Sequence, residues 1–123
     1  VAVGKAGEEE GPLDLEQLGR GTWGMLHTMA AYYPDNPSEE RREVTKRFLS
    51  DLSDVFPCRM CGEDWKDVLQ KMPPRLESQP VFEQWMCDAH NDVNTRLGKP
   101  LFPCHLARQR WRADRFHHED EDE

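Results

Sequence analysis

Four stretches of this chain repeat apolar side chains every third or fourth residue, and each is closed off by proline, glycine or a cluster of turn formers. That spacing lines one face of a helix, and no stretch alternates apolar and polar residues as a half-buried strand does. Leu15, Leu18, Thr22, Leu26, Met29 and Tyr33 predict a helix from about Asp14 to Tyr33, opened by a capping box of Asp14 with Gln17 and stopped by Pro34. After the turn formers of PDNPSEE, with Ser38 as cap, Val44, Phe48, Leu52 and Val55 predict the inward face of a second helix. Pro57 suits the first turn of a third, with Cys61, Trp65, Val68, Leu69 and Met72 as its apolar positions before Pro73 and Pro74. The fourth runs from about Ser78 to Leu97, with Phe82, Trp85, Met86, Ala89, Val93 and Leu97 inward and Gly98 as its C-terminal cap. A short fifth segment, Cys104 to about Phe116, carries Leu106 and Trp111. The fold class that follows is all-α, a four-helix bundle plus a short fifth helix.

At 123 residues the chain has room for one core and not two. The expected division is a flexible, small and acidic segment at 1–12, a domain at 13–116, and a disordered acidic tail, HHEDEDE, at 117–123. A net charge of -8, with no basic stripe, argues against nucleic acid as a partner. No apolar run approaches the ~20 residues of a membrane span, and no short apolar stretch behind a basic N-terminus suggests a signal peptide. The initial valine fits a processed or trimmed chain.

The chemistry is concentrated in four cysteines, at 58, 61, 87 and 104. Cys58 and Cys61 form a CxxC at the expected start of the third helix, where unpaired backbone N–H groups stabilise a thiolate and make it reactive. A structural zinc site is the competing reading, because Cys58, Cys61, Cys87 and His90 spell CxxC followed by CxxH. Zinc would leave Cys104 over, whereas Cys104 is also a possible disulfide partner for Cys87. His90, Asn91 and Asn94 follow Cys87 at three, four and seven residues, a polar stripe that suits a bound polar ligand, and Trp23 with His27 could cover an aromatic one. A thioredoxin-like reading of the CxxC needs a βαβ context that this chain lacks.

Taken together, LGRGTWGMLHTMAAYYP, FPCRMC and CDAHNDVNTRLGKPLFPC, followed by RW at Arg110 and Trp111, resemble the flavin-linked sulfhydryl oxidases of the Erv/ALR family over about Leu13 to Trp111. The resemblance implies an enzyme, a helical bundle that binds FAD and pairs into a homodimer. By matched position it implies Cys58 and Cys61 as the redox disulfide and Cys87 with Cys104 as a structural bridge. It further implies a cofactor site of Gly19, Arg20, Thr22, Trp23, His27, Tyr32, Cys87, His90, Asn91, Asn94, Lys99, Arg110 and Trp111, and no metal. The implied reaction oxidises dithiols of protein substrates and passes electrons through the CxxC and FAD to oxygen, giving hydrogen peroxide, or to cytochrome c. Cys58 would be the more exposed sulfur that the substrate attacks, and Cys61 the one facing the flavin. The HTMAAYYPD stretch resembles the mitochondrial branch, which implies the intermembrane space. The chain departs from many relatives in having no cysteine pair beyond these four, so small dithiols are expected to be better substrates than proteins. Gly21 stands where relatives often have a larger residue.

Overall fold

The computed structural model describes residues 11–112. Its elements are α1 (Leu15–Ala31), α2 (Glu39–Val55), α3 (Arg59–Lys71), α4 (Gln79–Leu97), a 3₁₀ turn (Cys104–Leu106) and α5 (Ala107–Trp111). Among the described residues there is no strand, and no helix is long and apolar enough to cross a membrane. The fold is the all-α bundle with a short fifth helix. Residues 1–10 of the first segment, the end of the domain from 113 to 116 and the whole of 117–123 lie outside the described residues.

Local chemistry sets the boundaries. Asp14 accepts from the Gln17 backbone N–H at 2.8 Å and Gln17 Oε1 accepts from the Asp14 N–H at 3.0 Å, a reciprocal capping box that opens α1. Ser38 Oγ accepts from Arg41 N at 3.0 Å and Ser78 Oγ from Val81 N at 3.4 Å, opening α2 and α4. Gly98 ends α4 in the left-handed conformation, at φ 71°, where a Cβ would be strained. Helix α3 starts later than Pro57 suggests, since Cys58 is its N-cap in extended backbone and Pro57 precedes it. The cysteine sulfur takes the place a serine oxygen usually has, accepting from Cys61 N at 3.2 Å.

The core is built from Leu26, Ala30 and Tyr33, Leu49, Trp65 and Val68, and Phe82, Trp85, Met86 and Ala89. The two fully packed tryptophans satisfy their N–H groups on main-chain carbonyls, Trp65 on Leu49 and Trp85 on Met72, each at 2.9 Å. Helix α1 lies along α4, α2 along α3, and α5 crosses α1 and α4.

Several expected inward residues point outward. On α2 the buried row is Thr45 and Leu49, with Leu52 partly buried against the core, while Val44, Phe48 and Val55 are exposed, Val55 at 73%. The inward stripe is turned by one residue, and it tolerates Thr45 because that hydroxyl donates to the Arg41 carbonyl at 2.7 Å. Leu15 and Leu97 are exposed because they border a cavity at one end of the bundle rather than the core. Cys61 is also exposed, on the first turn of α3 at that same cavity.

Candidate functional site

That cavity, about 1070 Å³, lies among α1, the end of α2, α3, α4, α5 and the loop from Lys99 to Pro103. Cys58 and Cys61 line it and are joined as a disulfide. Cys87 and Cys104 are joined as a second disulfide, which ties the 3₁₀ turn to α4. With all four sulfurs bonded in pairs, the zinc alternative has no thiolates to ligate a metal.

Of the residues singled out in the sequence, Gly19, Arg20, Thr22, Trp23 and His27 on α1 line the cavity, as do His90 and Asn94 on α4, Lys99 beyond it, and Arg110 and Trp111 on α5. Tyr32, Cys87 and Asn91 are not brought to it. Tyr32 lies under the Arg112 guanidinium, 4.4 Å from ring centroid to carbon, and Cys87 is buried in its disulfide. Asn91 is occupied by the protein itself. Its Oδ1 accepts from the Phe102 N–H at 2.8 Å and its Nδ2 donates to the Phe102 carbonyl at 2.9 Å, so the amide clips the 99–103 loop to α4 as a strand partner would. Asn94 Nδ2 donates to the same Asn91 oxygen at 3.2 Å.

The cavity's most ordered feature is a set of four rings. Trp23 stacks on His90 with centroids 4.0 Å apart, His27 stacks on Trp111 at 4.6 Å, and the two layers meet where His27 Nε2 and His90 Nδ1 lie 2.8 Å apart. Burial, then the neighbouring His90 and Arg110, hold the His27 pKa down to about 3. Burial and Lys99 hold that of His90 to about 4. Both imidazoles are therefore neutral at pH 7, so one can donate to the other.

Around these rings stand cations. The Arg110 guanidinium sits 4.0 Å over the Trp111 ring, and Arg20 is paired with Glu16 at 3.1 Å on the exposed surface of α1. Trp111 Nε1 is the one buried side-chain polar atom among the described residues with no hydrogen-bond partner. A buried donor of this kind is costly unless something accepts from it.

The two cysteines differ in whole-residue exposure. Cys61 is exposed and Cys58 half-buried, because the N-cap position turns the Cys58 sulfur back onto the first turn while Cys61 stands at the cavity edge.

Three kinds of residue were not singled out from sequence. Leu101 and Phe102 wall the cavity, and only the proline-bounded PLFP stretch marks them. Gly62, in the first turn of α3, faces the α2 backbone so closely that a Cβ there would stand 2.4 Å from the Ser53 carbonyl oxygen. Its place directly after the CxxC is the only sequence signal. Gln79 and Arg108 bond to one another behind the site, at 2.9 Å, and no local pattern announces that pair.

The Erv1 / Alr family model matches residues 20–112. An FAD-linked sulfhydryl oxidase ERV1 of rice (Oryza sativa subsp. japonica) is 42% identical over 107 residues, covering 87% of this chain and 55% of that protein. The mitochondrial FAD-linked sulfhydryl oxidase ERV1 of Saccharomyces cerevisiae is 41% identical, over 82% of this chain and 53% of its own length. The crystal structure of the FAD binding domain of Erv1 from the same yeast superposes with a TM-score of 0.78 at 40% identity, covering 81% of this chain and 95% of that one. The chain thus spans about half the length of the curated relatives it matches.

Proposed function

We propose a function from one premise: this chain belongs to the Erv1 / Alr family. It is an FAD-linked sulfhydryl oxidase, forming disulfides in dithiol substrates. The observation that carries this reading is the Cys58–Cys61 disulfide opening onto the cavity that holds the stacked rings.

The residues present fit FAD. A cavity of about 1070 Å³ is at the top of the usual range for small-ligand sites, as a dinucleotide requires. The two stacked layers offer neutral aromatic planes to a flat heterocycle, Lys99 and Arg110 offer charge to a diphosphate, and the Trp111 N–H is a donor in want of an acceptor. Gly19, Arg20, Thr22, Trp23, His27, His90 and Asn94 complete the proposed site, with Cys87 and Asn91 supporting its wall and Tyr32 flanking α5. When bound, FAD supplies the two-electron acceptor that a cysteine pair lacks and passes the electrons to oxygen, as hydrogen peroxide, or to cytochrome c.

The chain's own part is thiol–disulfide exchange. A substrate thiolate attacks Cys58 Sγ, the Cys58–Cys61 bond breaks, and Cys61 leaves with the electron pair. The second substrate thiolate then attacks the substrate sulfur of the mixed disulfide and expels Cys58. The substrate departs as a disulfide, two protons go to solvent, and two electrons remain on the cysteine pair. The N-terminus of α3 stabilises each released thiolate. Attack at Cys58 rests on the family resemblance, since exposure alone favours Cys61.

The chain works as a homodimer, supported by exposed Val44 and Phe48 one turn apart on α2. Its compartment is mitochondrial, in the intermembrane space, supported by the mitochondrial name of the Saccharomyces cerevisiae relative. The deciding experiment is a visible spectrum of the purified protein, aerobic and then anaerobic with dithiothreitol. A flavin band near ~450 nm that bleaches with the dithiol is expected. A colourless protein that binds no added FAD overturns the reading.

A further inference from the structure

Helix α5 has only five residues, too few to be stable alone, yet it carries Arg110 and Trp111 into the cavity. Its start is tied by the Cys87–Cys104 disulfide and the burial of Ala107, neither of which sets its rotation over the cavity. We propose that Gln79 is a positioning residue for the cofactor site, setting the register of α5 through Arg108 although neither side chain lines the cavity. The inference rests on the FAD site proposed above.

Gln79 is 2% exposed and uses both ends of its amide. Nε2 donates to the carbonyls of Ala30 at 3.1 Å and Ala31 at 3.3 Å, in the last turn of α1, and to Glu83 Oε1 at 2.7 Å. Oε1 accepts from Arg108 Nη1 at 2.9 Å, and the same guanidinium lies 3.7 Å from the Glu83 carboxylate. The amide's orientation is dictated chemically, because a guanidinium can only donate and a carbonyl can only accept. One side chain therefore joins the end of α1, the start of α4 and the outer side of α5. Arg112 adds a second tie, donating to the Ala31 carbonyl at 2.9 Å. Trp111 and Arg110 lie between these two anchors, so the angle at which the indole N–H enters the cavity depends on them. Glutamate cannot substitute, since a carboxylate would face two carbonyls and Glu83.

The test compares Gln79→Met, Arg108→Met and the double variant of the full chain by two readouts. In ¹H–¹⁵N spectra without FAD, both single variants are expected to shift the Trp111 indole signal and speed its hydrogen exchange. The indoles of Trp65 and Trp85, bonded to carbonyls in the core, stay in place. In FAD titrations both singles weaken binding about tenfold, and the double variant no further, because the two residues act through one contact. An unmoved Trp111 signal, all indoles shifting together, or losses that add in the double variant would each overturn the proposal. A wild-type chain that takes up no FAD overturns the oxidase reading instead, and the indole spectra still decide what holds α5.

Discussion

His27 Nε2 and His90 Nδ1 are 2.8 Å apart at the floor of the cavity, each imidazole stacked on a different tryptophan. The pair spans sixty-three positions of sequence and couples α1 to α4. A single hydrogen bond between imidazoles needs one ring to offer N–H and the other a lone pair, so it survives only while at least one ring is neutral. The arrangement therefore makes the fold sensitive to acid.

Both folded-state pKa values, about 3 for His27 and about 4 for His90, lie below the ordinary 6.5. The unfolded chain thus binds more protons than the folded one below pH 6.5, and stability falls as pH falls from there toward 4. While both rings stay neutral in the fold, each contributes a slope of up to about 1.4 kcal/mol per pH unit. Chemical denaturation at pH 7 and pH 5 is expected to reveal this loss, and His27→Gln should cut it by about half, leaving the His90 contribution. Equal stability at the two pH values would contradict the neutral pair.

Replacing either redox cysteine is expected to bring dithiol oxidation to background while leaving FAD uptake intact, because neither sulfur joins the core. The two variants separate the exchange order. If access favours Cys58, the lone Cys58 of the Cys61→Ser protein exchanges with an added small disulfide, forming a mixed disulfide and releasing the reagent's other thiol, faster than the lone Cys61 of Cys58→Ser does, as mass spectrometry would detect. The reverse pattern would follow if exposure decides, since Cys61 is the more exposed residue.

Gly62 to alanine is expected to weaken the α2–α3 contact. The new methyl would stand 2.4 Å from the Ser53 carbonyl oxygen, a backbone atom that cannot swing away. Overpacking of this kind costs about 1–3 kcal/mol. Because Gly62 directly follows Cys61, the forced shift should also slow turnover, so a thermal melt and a rate assay move together. An unchanged melting temperature would refute the close approach.

How much of this was legible in the sequence depends on how local its cause was. The capping box of Asp14 and Gln17 and the Gly98 cap are contacts within one turn, and they stand where periodicity and cap chemistry put them. The inward row of α2 was misread by one position because Phe48 and Val44 are apolar and Thr45 is not. Only a neighbouring helix decides which row is covered. Asn91 looked like a ligand contact by its spacing from Cys87, yet its amide is spent on Phe102, a pairing set by the path of the 99–103 loop. Gln79 with Arg108 joins residues twenty-nine apart and has no local signature at all.

Val44 and Phe48, one helical turn apart on α2, are exposed apolar side chains of the kind that association covers. Phe48→Glu is expected to move the protein from dimer to monomer in sedimentation velocity without unfolding it, as Phe48 lies outside the core cluster. A wild-type chain that sediments as a monomer at ~100 μM, or a variant that still dimerises, would remove this face from the interface.

The two disulfides should differ in how easily they are reduced, because they sit in different surroundings. Cys87 is fully buried and its bond to Cys104 closes a loop with a sequence separation of 17, whereas Cys58 and Cys61 line an open cavity at a helix N-terminus. Exchange requires a thiolate to reach sulfur, so access favours the CxxC pair. Graded dithiothreitol followed by alkylation and mass spectrometry is expected to label Cys58 and Cys61 first, with Cys87 and Cys104 following only on unfolding. Removing the buried bridge by Cys87→Ala with Cys104→Ser should lower stability by about 3 kcal/mol, the chain-entropy value for a loop of this length. The same change frees the 3₁₀ turn from α4, leaving Asn91 and Gln79 to hold the wall and α5. FAD affinity should therefore fall with stability in this variant, whereas loss of the Cys58–Cys61 bond leaves both unchanged. Equal reduction of the two pairs, or undiminished FAD binding without the bridge, would mean that the hydrogen bonds alone hold the site together.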